Sequence, residues 1–144
     1  MHAAQNTAVE VIERLRTIQG LCGEIATRLE DEASAQTIPR NFEYDGRRMA
    51  LLETGEEISK TMVLLELATS PDHIDKLLQN LFAYIEARKQ QNADDQARNV
   101  EYQHNFRMSG LFFTPRGAIA GYDKALEWLR ESLKSAGYPQ RQSP

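Results

Sequence analysis

Arg98 and His104 fall in the string Arg98-Asn99-Val100-Glu101-Tyr102-Gln103-His104. They are the residue types in this chain best suited to chemistry. An imidazole transfers protons near neutral pH, and a guanidinium meets phosphate with a planar fork of donors. Glu101 and His104 also stand three apart, a spacing used by metal-ligating pairs on helices. Farther back, Glu53, Glu56 and Glu57 are followed by Asp72 and Asp75. Carboxylates three apart share a helix face and can hold Mg²⁺. The plainer reading of those acids is a solvated face, with Glu56–Lys60 as an ordinary ion pair.

The Arg98–His104 string resembles the ribonuclease motif of HEPN-domain proteins. That motif is an arginine, often followed by a polar residue, with a histidine a few positions on. The resemblance implies a small all-helical bundle, often dimeric. It also implies metal-independent RNA cleavage, with His104 as acid or base, Arg98 stabilising charge on the scissile phosphate, and Asn99 positioning the pair. It covers seven residues. The Glu101-x-x-His104 pair is similar to half of the ligand set of di-iron carboxylate bundles, which need two such motifs and two further glutamates. His73 is preceded by Ser70 instead of a glutamate. The acidic residues resemble in part the clusters of all-helical nucleotide pyrophosphohydrolases, without the fuller pattern of paired acids. No metal site and no cofactor is therefore assigned.

Whatever these side chains do, helices must position them. Ala8, Val11, Leu15, Ile18, Cys22, Ile25 and Leu29 step by three and four, which draws one apolar stripe along a helix from a Thr7 cap to about Glu32. Glu10–Arg14 and Glu24–Arg28 are pairs of favourable orientation on it. Gly20 and Gly23 lie off the stripe. After a connector over residues 32–40, a second helix starts between Asn41 and Arg47, with Leu51, Gly55, Ile58, Met62 and Leu65 as its stripe. Ser70-Pro71-Asp72 is a cap-and-proline start for a third helix carrying Ile74, Leu77, Leu78, Leu81, Phe82 and Ile85. Its stripe fails over residues 86–99, which leaves open a projecting helix or a loop between two helices. Thr114-Pro115 reads as the start of the last helix, with Ile119, Tyr122, Leu126, Leu129 and Leu133 on its inner face, and Gly137 as its stop.

Several residues are candidates for contact with another protein. Gly117 and Gly121 smooth one side of the last helix. They serve either a tight crossing within the bundle or a dimer or partner contact. Trp128 stands at the margin of the stripe, where a tryptophan can anchor an interface. Phe112 and Phe113, with Leu111, fall in the expected connector. They either plug one end of the bundle or offer an apolar patch.

The totals bound the rest. The chain has 144 residues, 41% apolar and 26% charged, with a net charge of −4. That is one domain with a real core. The expected division is a disordered leader over 1–6, a helical domain over 7–137, and a disordered tail over 138–144. The acidic balance and the lack of a basic stripe disfavour nonspecific nucleic-acid binding. No membrane span or signal peptide is visible, and the single Cys22 fits a reducing, cytoplasmic setting. The fold expected is all-α, a four- to five-helix up-and-down antiparallel bundle. The function expected is non-enzymatic: an adaptor, small chaperone, inhibitor or immunity-type protein that binds another protein, with a homodimer possible. RNA is a partner only under the alternative ribonuclease reading through Arg98, Asn99 and His104.

Overall fold

The computed structural model describes residues 2–138, with side chains described from residue 7 onward. Four helices account for the fold, with no strand among the described residues: α1 (His2–Ala33), α2 (Arg40–Glu66), α3 (Pro71–Arg98) and α4 (Gly110–Lys134). A short 3₁₀ turn, Val100–Tyr102, follows α3. The all-α bundle read from the apolar stripes is the fold observed.

The ends of the helices show where local signals prevail and where packing overrides them. Ser70 accepts a hydrogen bond from the His73 backbone N–H at 3.1 Å, with Pro71 in the first turn, as its sequence predicts. Gly137 ends α4 at φ +90°. The Gly137 and Tyr138 N–H groups turn back to the Lys134 and Leu133 carbonyls at 3.0 and 2.9 Å, a Schellman closure. Tyr138, expected in a disordered tail, packs against the core. The remainder of that tail, residues 139–144, lies outside the described residues. At the other end α1 begins at His2, not at Thr7, so the expected leader is helical backbone from residue 2. Ala3, Ala4 and Gln5 are good helix formers that extend a helix already nucleated.

One open alternative is decided and one expectation is corrected. Residues 86–98 are helix, and α3 runs unbroken to Arg98. Its polar stretch is supported from α4, where Lys89 meets Asp123 at 2.6 Å and Arg130 meets Glu86 at 2.9 Å. The last helix starts at Gly110 instead of Thr114, so Leu111, Phe112 and Phe113 form its first turn and Pro115 lies inside it. Pro115 has no N–H to offer the Leu111 carbonyl. This costs one bond in the first turns of the helix, and the earlier start buries Phe112 and Phe113.

Consecutive helices run antiparallel, and α2 and α4 run parallel across the bundle in close contact. A methyl added at Gly46 would lie 2.0 Å from the Thr114 carbonyl oxygen, and one at Gly117 would lie 1.9 Å from that of Glu43. At Gly121 it would lie 2.8 Å from the Arg47 carbonyl oxygen. Only glycine allows the two backbones this near. The α2–α4 pair is the spine: α1 packs mainly on α2, α3 mainly on α4, and α1 and α3 barely touch. The core is built from the expected stripes, with Leu15, Leu51, Ile58, Leu65, Ile74, Leu78, Leu81, Ile85, Leu126 and Leu129 fully enclosed. Ile119, expected inward, is only half-buried, and Ala118 takes its place.

Candidate functional site

Two neighbouring clefts open at the bundle end where the α1–α2 and α3–α4 connections meet. The α3–α4 connection is short of regular structure but not of order. The Asn105 carboxamide oxygen accepts from the Arg107 and Met108 N–H groups, both at 3.0 Å, which fixes a tight side-chain-closed turn. That turn holds Phe106 out into solvent, 76% exposed. Neighbouring residues of the same stretch serve two clefts. Arg107, Met108 and Gly110 line a cleft of about 540 Å³ together with Phe42, Asp95, Asn99, Leu111, Thr114 and Pro115. Phe106 and Ser109, with Ile38, Pro39, Gln103, His104 and Asn105, line a smaller one of about 190 Å³. The Ser109 hydroxyl is buried and has no hydrogen-bond partner. A buried polar group in that state is an opening for a ligand or partner atom.

The three residues of the ribonuclease-like motif are placed near this end but not together. The Arg98 guanidinium is held by the Asp95 carboxylate one turn back. Asn99 terminates α3, and its side-chain N–H₂ donates to the Asp95 carbonyl at 2.9 Å. His104 lies beyond the 3₁₀ turn, exposed at the rim of the smaller cleft, while Asn99 faces the larger one. No described hydrogen bond or ion pair joins Arg98 to His104.

Most of the sequence-predicted anchors lie inside the chain. Gly117 and Gly121 are taken up by the α2 crossing, the first of the two roles expected for them. Phe112 and Phe113 are buried edge to face, ring centroids 5.0 Å apart, and plug the bundle end beneath the clefts. These four are corrected as partner contacts, because the chain's own atoms already cover them. Trp128 is half-buried against the core and keeps one edge in solvent. The exposed apolar residues of this end are Val100, Phe106, Met108 and Leu111, with Ile38 across the smaller cleft. By sequence Val100, Tyr102 and Phe106 read as the apolar stripe resuming after residue 99, not as a contact surface, and Met108 carries no reading; the structure leaves Phe106 and Met108 exposed.

One polar cluster joins three helices. Glu53 of α2 accepts from Tyr122 of α4 at 2.9 Å, from Tyr84 of α3 at 3.1 Å, and from the Arg88 Nε of α3 at 2.6 Å. Burial by itself raises the Glu53 carboxyl pKa. The hydrogen bonds from Arg88 and Tyr122 and the Arg88 charge outweigh it, leaving the pKa below its ordinary value. Tyr122 is pushed up, first by burial and then by its bond to Glu53, so it stays a neutral donor. Every acceptor and donor here faces a partner in the chain, so the cluster reads as a tie between helices. It also removes Glu53 from the acidic group read as a possible Mg²⁺ face. Among the described residues no group of three His, Cys, Asp or Glu side chains converges as metal ligands. The sequence matches no family model, no curated protein and no solved structure.

Proposed function

We propose that this protein binds another protein, and that its contact surface is the α3–α4 end of the bundle. The observation that carries the reading is Phe106. It is a large aromatic ring held outward by an ordered turn at the edge of the smaller cleft, close in sequence to exposed Met108 and Leu111, which line the larger one. Exposed aromatic residues over formed clefts are the common anchors of protein interfaces. The net charge of −4 favours a partner with a basic surface. Among the described residues no helix is long and apolar enough to cross a membrane. The one thiol, buried in the core, suits a reducing compartment such as the cytoplasm.

The test is affinity capture from native extract with the full chain, comparing wild type with Phe106→Ala and Leu111→Ala. A protein retained by wild type and lost from both variants, at unchanged helicity, supports the reading. Identical sets of captured proteins would sink it. The ribonuclease alternative draws less from the geometry, since Arg98 is engaged by Asp95 and Asn99 is spent on ending α3.

A further inference from the structure

We infer that two copies of this chain associate through the outer face of α2, antiparallel and about a two-fold axis passing near Ile58. Apolar residues line both sides of α2. The inner side is covered by α1 and α4. The outer side carries Met49, Leu52, Val63, Leu64 and Leu67, all exposed, Leu67 at 71%. On a helix these five, with Glu56 and Lys60, lie within one strip of surface. Scattered apolar residues on a surface are ordinary, but a strip along one helix that its own bundle leaves uncovered asks for a cover.

The order of residues in the strip says what that cover is. Met49 and Leu67 stand nine residues on either side of Ile58, Leu52 and Leu64 six, and Glu56 and Lys60 two. When two identical helices pack antiparallel about a two-fold axis, residues at equal heights on either side of that axis face each other where they lie near the centre line or on the same side of the strip. Met49 then meets Leu67 of the second copy and Glu56 meets its Lys60, each contact made twice, while Leu52, on one flank of the strip, comes beside Val63 of the second copy. The strip is therefore apolar at both ends and charge-complementary to itself in the middle. Within the chain this complementarity is unused. Glu56–Lys60, the ion pair expected from sequence, does not form: Lys60, 72% exposed, lies 3.7 Å from Glu57 instead. Glu56 is exposed and makes no ion pair among the described residues. The strip is about 27 Å long and one helix wide. Such a footprint is small beside the roughly 800 Å² per partner of a standard interface, so weak, concentration-dependent association is expected.

The deciding experiment is sedimentation equilibrium of the full chain from micromolar to near-millimolar concentration. Wild type is expected to pass from monomer to dimer across that range. Glu56→Lys sets lysine against lysine twice and is expected to weaken association about tenfold or more, as is Lys60→Glu with acid against acid. The combined exchange, Glu56→Lys with Lys60→Glu, is expected to restore it to within about threefold of wild type, since each pair is rebuilt with its signs reversed. All of these residues are exposed, so far-ultraviolet circular dichroism should be unchanged throughout. A wild-type monomer at every concentration overturns the inference. So does a dimer indifferent to Glu56→Lys, or an exchange that fails to restore association.

Discussion

The backbone of Gly117 in α4 lies against the carbonyl of Glu43 in α2, so close that a methyl group on Gly117 would stand 1.9 Å from the carbonyl oxygen. Gly20 on α1 is the opposite case, with nothing within 4 Å of such a methyl. The same substitution should therefore act with opposite sign. Gly117→Ala forces two backbones apart along the spine of the bundle and is expected to cost about 3 kcal/mol or more. Gly20→Ala relieves the flexibility of a mid-helix glycine and should stabilise by about 0.5–1 kcal/mol. Urea denaturation of the two variants measures both. Equal effects would refute the close crossing.

Glu53 gathers two phenols and a guanidinium from two other helices. Replacing it with glutamine removes the charge that orders these donors, and about 1–3 kcal/mol of stability is expected to go with it. The pH dependence follows from the direction of its shift. Its folded pKa is lowered from the ordinary 4.5. Its contribution is thus fully present above that value and is lost as pH falls through the lower folded pKa. Acid unfolding profiles of wild type and Glu53→Gln should converge below pH 4.5 and separate above it.

Phe106 and Phe112 lie six residues apart and should behave as different kinds of residue. Phe112→Ala empties a buried site and is expected to cost about 3–5 kcal/mol. Phe106→Ala removes an exposed ring and should change stability by no more than about 0.5 kcal/mol. Thermal and chemical denaturation distinguish them. A large loss on removing Phe106 would mean that it serves the fold, not a partner.

Cys22 is fully buried on α1, and burial pushes its thiol up to about 11. Against the ordinary 9.0, that leaves about a hundredfold less thiolate at neutral pH. A thiol reagent is expected to react with the native chain far more slowly than with the urea-unfolded one. Comparable rates would show that α1 opens readily.

His104 and Arg98 are joined by no described bond, and Arg98 is already paired. Incubation of the purified chain with RNA in EDTA is expected to leave the RNA intact. Cleavage that His104→Ala abolishes, with helicity preserved, would revive the ribonuclease reading.

The sequence by itself determined the helices and their inward faces. Stripes stepping by three and four admit one solution in water, and Ser70-Pro71 and Gly137 mark two boundaries by side-chain and backbone chemistry that acts within a turn. Ion pairs one turn apart, Glu10–Arg14 and Glu24–Arg28, were legible for the same reason. Tertiary structure decided what depends on residues far apart in the chain. Gly117 and Gly121 took the inner of their two possible roles because the Glu43 and Arg47 carbonyls and the Ala50 side chain face them from α2. The start of α4 moved four residues ahead of Thr114-Pro115 because burying Phe112 and Phe113 outweighs one hydrogen bond lost to proline. Glu53 became a tie between helices, and Phe106 was left as the exposed ring at the smaller cleft. Local spacing fixes which side of a helix is oily. Which oily residues stay uncovered is settled only when the helices are stacked, and that remainder carries the candidate site.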